Sequence, residues 1–467
     1  MGNGDAEPRS EASPPVAGRP SSAASVKLVL SRRTTVEAQA LVMRGGSFGS
    51  FVNDISYGQS QLILHGNSQF SVWYRAIGPN RAHVAVGRRS LGQAAWQTTA
   101  LTDWTLASDN THENVTMGIA PLDGTVHFAF GMHAETLNRR SSTQGFATSS
   151  LKLFPGQFSS VRSDFGSVRP VKAVTYPQFA TTPGGRTQMF YRVGVSGAGD
   201  YEVATYEPAT GKWGTPLRFI GRAGAYEFRD SQGFVVRSTS RNAYPNGFHY
   251  GPNGRLHVTW IWRERATLPR GKRLLANHDL YYAFSDDQGK TWKTNDGASA
   301  ALPITVATPK ARVWPLPPTY GTVNQQAQAV DSRGQPHVVM GHRNTPGDPY
   351  SFGNDAYHHY HRTPEGKWHH AVLKAPGGGR PRLVFDADDT AYLLFQRGGR
   401  LTVLIAVAKT EWTDWRVAFE APGVCSDVDA DAGLLMRTNK QLVLQAQACS
   451  STGNGSALEV YDLTITR

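Results

Sequence analysis

The 467-residue sequence predicts an all-β fold, a seven-bladed β-propeller forming a single domain, on three observations. Long helical periodicity is missing, whereas short apolar or alternating runs rich in Val, Phe, Tyr and Trp recur between Gly, Asn, Asp and Pro turns. One unit, a turn and then a mostly apolar run, returns seven times: GNSQFSVWYR from Gly66, DGTVHFAFGMH from Asp123, GGRTQMFYR from Gly184, NGRLHVTWIWR from Asn253, RGQPHVVMGHR from Arg333, DDTAYLLFQR from Asp388 and NKQLVLQAQA from Asn439. Successive starts lie 57, 61, 69, 80, 55 and 51 residues apart, the length of a four-stranded sheet with its loops.

Residues 1–26, rich in Gly, Ala, Ser and Pro and without the apolar core of a signal peptide, read as a disordered leader or the remnant of a trimmed export signal. Residues 27–467 are assigned to the propeller. The early strand VKLVLSRR is expected to complete the last blade and so remove the exposed edges of the ring. Trp96, Trp213, Trp292, Trp368 and Trp415 follow short turns and are expected on outer strands, wedged between blades. The run Ser285-x-Asp287-x-Gly289-x-x-Trp292 matches an Asp-box, a hairpin turn that speaks for architecture and not for catalysis. Cys425 and Cys449 fit either one disulfide or two buried thiols.

Charged residues make up 18% and aromatics 10%, too much apolar ring for a disordered chain, and no run is long and apolar enough to span a bilayer. The formal charge of +12 favours an anionic partner. A monomer without nucleic-acid or membrane partners is expected, because no nucleic-acid-binding motif accompanies the charge.

Most of the repeated strands end in a cation: Arg75, His133, Arg192, Arg263, the pair His342-Arg343, and Arg397. If these strands lie at or near the ring axis, equivalent positions surround one end of the channel and make a positive funnel suited to a polyanion. His112, in a loop entering a strand, and His133 flank one blade, and two neutral imidazoles exchange protons near pH 7. Tyr176 and Arg192 are placed by a hairpin at the same end of the next blade.

These segments carry a family resemblance. His112, then His133 with Leu137 and Arg140, then Tyr176-Pro-x-Phe179, then Tyr191-Arg192-x-Gly194-x-Ser196-Gly197 resemble, in order and separation, the seven-bladed polysaccharide lyases typified by ulvan lyases. AYPNGFHYGPNGRLHVTWIWRE from Ala243, NHDLYYAFSDDQGKTW from Asn277 and YHHYHR from Tyr357 extend the likeness, which runs from about residue 60 to about 370. It implies a secreted or periplasmic enzyme that cleaves a uronate–rhamnose polysaccharide by β-elimination, with paired His, a Tyr and an Arg in the cleft. Arg192 is expected to pair with the uronate carboxylate. His112, His133 and Tyr176 share the base and acid roles, with the two histidines favoured and the division left open. Arg75, Tyr244, Arg263, His342 and Arg343 are candidates for binding neighbouring sugars. No cofactor is required, while a structural zinc or calcium ion is open through His278, His342, His358, His359 and His361, expected to converge from adjacent blades. A sialidase-like hydrolase using Asp230, Glu264 or Asp355, and a non-catalytic propeller that binds anionic glycans, are the alternatives.

Overall fold

The computed structural model describes residues 26–54, 60–166, 169–230, 233–267, 273–375, 377–450 and 453–467, so all but the last residue of the expected N-terminal leader lies outside the described residues. The chain is all-β in a propeller-like arrangement, with antiparallel sheets following one another in sequence order. Among the described residues five sheets have four or more strands, joined by one three-stranded and one two-stranded sheet, in place of the seven equal four-stranded blades expected. The unequal count has a local cause. The long strand Lys27–Leu41 pairs along nearly its whole length with the C-terminal strand Gly455–Thr466 and also touches Ser68–Gly78 through the single pair Ala40↔Arg75, which fuses two sheets into one of eight strands. The strand-rich start therefore does close against the end of the chain, as the sequence suggested.

The seven repeated segments all form strands, but they are not the innermost ones. Each pairs with a strand that precedes it in the chain, such as Val115–Ala120, Val174–Thr181, Arg241–Tyr250 or Ala327–Val330. Burial explains why this strand is the legible one. It is covered on both faces and on both edges, so it reads as a continuous apolar run: Thr125–Phe130 is buried at every position. The cations at the ends of these strands thus sit one strand out from the axis.

Aromatic packing fills the space between sheets. Trp292 is 1% exposed and stacks on Phe219 at 4.8 Å, while Trp213 meets His127, Tyr206 and Phe165 at 5.0–5.6 Å. The turn before Trp292 is tied as its sequence suggests: Ser285 Oγ donates to Asp287 Oδ1 at 2.8 Å, Gly289 N–H donates to Ser285 Oγ at 2.7 Å, and Asp287 accepts from Thr291. Cys425 and Cys449 form a disulfide.

Candidate active site

Several neighbouring sheets contribute the chemistry at one end of the arrangement. The loop after Gln97–Ala107 carries Asn110, Thr111 and His112, and the turn after Thr125–Phe130 delivers His133. That turn depends on Gly131, whose φ of 67° is left-handed and where a Cβ would lie 2.5 Å from Trp104. His133 then opens the short strand His133–Glu135, which pairs with Thr175.

The imidazoles of His112 and His133 stack with centroids 4.5 Å apart and planes 12° apart, under the ring of Phe48. Asn110 holds both. The His112 backbone N–H donates to Asn110 Oδ1 at 3.1 Å, which fixes the oxygen end of the amide, and His112 Nδ1 lies 3.2 Å from the same oxygen. The amide nitrogen must then face the other ring, and Nδ2 donates to His133 Nδ1 at 2.7 Å. The tautomers follow from donor and acceptor matching. His112 carries its hydrogen on Nδ1 and offers a lone pair at Nε2, whereas His133 accepts at Nδ1 and carries its hydrogen on Nε2. Burial, followed by the charges of His133, Arg380, Arg192 and Arg263, pushes His112 down to about 3, and burial with Arg192 pushes His133 down to about 4. Both rings are neutral at pH 7.

Tyr176 sits 5.8 Å from the His112 ring and 6.1 Å from the His133 ring. Its strand is bulged between Thr175 and Gln178, and its φ of 54° is left-handed, a costly conformation for an aromatic residue that re-aims the side chain. Arg192 lies over the Tyr176 ring at 5.0 Å and near the Tyr244 ring at 5.9 Å. It is 1% exposed and Nη2 donates to Thr175 Oγ1 at 3.1 Å, but Nε and Nη1 are buried with no hydrogen-bond partner among the described residues. A guanidinium in that state is expensive unless an anion is brought to it. Burial would raise the Tyr244 hydroxyl, but the charges of Arg263 and Arg192 and hydrogen bonds from Ser196 and Arg192 outweigh it and bring the group down to about 8. Arg263 donates to Tyr244 Oη at 3.0 Å, to Asn277 Oδ1 at 2.8 Å and to Asn324 Oδ1 at 3.0 Å.

The sequence thus placed six residues that the fold brings together or near: His112, His133, Tyr176, Arg192, Tyr244 and Arg263. Others lie elsewhere. Arg75 is committed to the Glu37 carboxylate and to Thr98 Oγ1. Arg343 grips the loop around residues 347–353 through the Asp348 and Phe352 carbonyls and Ser351 Oγ and also donates to the Thr319 carbonyl, so it shapes the rim next to Phe352, itself 5.3 Å from Arg263. His342 bonds Tyr360 Oη at 2.7 Å and the Arg343 carbonyl at 2.8 Å. Glu264 is fully buried between Arg241 at 2.6 Å and His278 at 3.0 Å, which makes it an internal ion pair and not a solvent-facing acid.

That contact also removes His278 from the metal candidates, since both its nitrogens face carboxylates, Glu264 and Asp279. The other candidates come from one sheet and not from adjacent blades. His337, His359 and His361 gather on one face, and His342, His358 and His370 on the other. Asn110, Phe48 and Arg380 were missed. Asn110 has a signal in hindsight, an Asx turn two residues before a histidine, whereas Arg380 comes from a distant loop, where Nε donates to the Asn324 carbonyl at 3.0 Å.

A cavity of about 360 Å³ lined by Phe179, Thr181, Phe248 and Tyr250 lies at the other ends of the strands that carry Tyr176 and Tyr244, away from this chemistry.

Comparison with known proteins gives a consistent picture. The model for a "BNR repeat-containing family member" matches residues 68–375. The long isoforms of ulvan lyase from Alteromonas sp. (strain LOR) and Pseudoalteromonas sp. (strain PLSV) are each 23% identical over 224 residues, covering 41% of this chain and 21% of the relative, so the match spans about a fifth of their length. Among solved structures, the polysaccharide lyase Uly1 superposes with a TM-score of 0.70 at 18% identity, over 93% of this chain and 99% of that one. A PL25 ulvan lyase follows with a TM-score of 0.64 at 14% identity, over 93% and 96%, and a PL25 ulvan lyase bound to -[GlcA(1-4)Rha3S]- superposes with a TM-score of 0.63 at 13% identity, over 93% and 96%. At these identities the structures establish the shared fold.

Proposed function

The chain belongs to the BNR repeat-containing family, and on that footing we propose that it is a polysaccharide lyase cleaving a uronate–rhamnose polymer of the ulvan type by β-elimination. The observation that carries this reading is the Asn110 clamp, which leaves one stacked imidazole as acceptor and the other as donor beside an unpaired guanidinium.

The proton alpha to a uronate carboxylate is weakly acidic, so its removal needs a base together with positive charge where the enolate develops. His112 Nε2 takes that proton. Its low basicity in the free protein comes partly from neighbouring cations, and a bound uronate offsets their field and restores it. Arg192 supplies charge from the floor of the site and Arg380 from the rim. His133 is neutral with its hydrogen on Nε2, so it donates a hydrogen bond to the developing enolate; giving that proton away entirely would leave an imidazolate. The acid is therefore Tyr176, which protonates the departing glycosidic oxygen as the ring double bond forms. The Arg192 charge over its ring favours the resulting phenolate, and the proton held by His112 returns to it, restoring the resting state.

We infer seven blades in one domain, with the eight-stranded sheet divided at Ala40↔Arg75 and the three-stranded sheet as a short blade. The Cys425–Cys449 disulfide supports an oxidising, secreted or periplasmic setting. We infer a monomer with a polysaccharide partner and no nucleic acid. Incubation with a panel of uronic-acid polysaccharides tests the reading: ultraviolet absorbance of the conjugated unsaturated uronate should grow on at least one uronate–rhamnose polymer, and its absence across the panel would reject it.

A further inference from the structure

The second histidine-rich region, well separated in sequence from the stacked pair, has no part in the proposed reaction. In a β-strand, residues two apart share a face, so His359 and His361 in Ala356–Arg362 point the same way. The antiparallel neighbour Pro336–His342 sets His337 directly opposite His361. His337 Nδ1 then lies 2.9 Å from His359 Nε2, and one ligand nitrogen from each of the three rings falls within 4.8 Å of the others. Behind His337, Nε2 faces Asp331 Oδ2 at 3.5 Å, and Asp331 is itself held by the backbone N–H groups of Gln335 at 2.7 Å and Arg333 at 3.1 Å. A carboxylate aligning the far nitrogen of an imidazole is the arrangement that orients a metal ligand and raises its donor strength.

We propose that His337, His359 and His361 form a zinc site that ties the paired strands Pro336–His342 and Ala356–Arg362 together. All-imidazole donors suit zinc and not calcium, which takes oxygen ligands. His337 and His359 are 0% and 1% exposed, and the neighbouring sheet covers the cluster with Phe385, Trp412 and Trp415, 4.6, 4.4 and 5.7 Å from His337, His337 and His359 in turn. Half-buried His361 opens towards exposed His369, 5.2 Å away, leaving room for water as a fourth ligand. The cluster on the opposite face is the poorer site, because both nitrogens of His342 are already bonded.

The site is independent of the lyase reading and is tested without substrate. The full chain, stripped with a chelator and dialysed against zinc chloride alone, should retain one equivalent of zinc by elemental analysis, and cobalt in its place should show the visible bands of tetrahedral coordination. Affinity should fall at least about tenfold in His361→Gln, a half-exposed change that leaves the fold measurable by circular dichroism, and be unchanged in His370→Gln. A folded wild-type chain that retains no zinc, a His361→Gln protein that binds as tightly, or a loss confined to His370→Gln would each overturn the assignment.

Discussion

Asn110 donates from Nδ2 to His133 Nδ1 at 2.7 Å, and because its Oδ1 is already claimed by the His112 backbone N–H, this one amide sets opposite tautomers in two stacked rings. Their roles divide accordingly, acceptor at His112 and donor at His133. Asn110 touches neither the sugar nor the reacting atoms in this scheme, so it is a positioning residue.

Asn110→Ala should lower kcat by about 10²-fold, the low end of a proton-transfer contribution, with KM little changed. Asn110→Asp is the sharper variant. A carboxylate beside both Nδ1 atoms raises the pKa of each ring, so the base is protonated earlier as pH falls and the acid limb of kcat/KM moves up by about one unit or more. An Asn110→Asp profile superimposable on the wild type would show that the amide does not set the tautomers.

Arg192→Met should separate function from stability. Removing a buried guanidinium whose Nε and Nη1 have no partner among the described residues relieves a desolvation cost, so Tm should hold or rise. Turnover should fall by about 10²–10³, the scale seen when one group stabilising developing charge is lost. A variant that keeps its activity, or one that unfolds, would contradict the role given to that charge.

Tyr244 is held at about 8 by Arg263 and Arg192 against the upward push of burial. As pH rises through that value the phenol becomes a phenolate, cancels positive charge at the site, and kcat/KM should decline. Tyr244→Phe should remove this basic limb, and a decline that persists in the variant assigns it to another group.

Stability should fall in acid for a related reason. Burial depresses His127, His249 and His257 from 6.5 to about 3. Between those values the unfolded chain binds protons that the folded chain refuses, so unfolding becomes easier as pH drops below 6.5, by about 1.4 kcal/mol per pH unit for each such group, and the effect levels off near the folded value. Thermal melts across that window should show the slope, and His127→Phe, between Tyr206 and Trp213, should flatten it. Equal slopes in both proteins would remove His127 from the effect.

The sequence-level pattern captured the second strand of every repeat because those strands are buried on both faces, as in Thr390–Arg397, where six consecutive positions are buried. It did not reveal the strands that precede them, although Val115–Ala120 is buried at every position, nor the unequal sheets, since one residue pair at Ala40 fuses two of them. His112, His133, Tyr176 and Arg192 were readable from order and spacing. Arg75 was misplaced because a strand-end cation looks alike in sequence whether it faces a cleft or, as here, pairs with Glu37. The histidines around residue 360 read as converging from several blades, although alternation within one strand sends them to opposite faces of a single sheet.

The most direct test of the central claim is mass spectrometry of the fragments released from a uronate–rhamnose polysaccharide by wild-type and His112→Ala proteins. Elimination predicts wild-type fragments with an unsaturated uronate end that lacks the water hydrolysis adds, and none from a folded His112→Ala protein. Hydrated ends from the wild type, or unsaturated ends produced as fast by the variant, would contradict it.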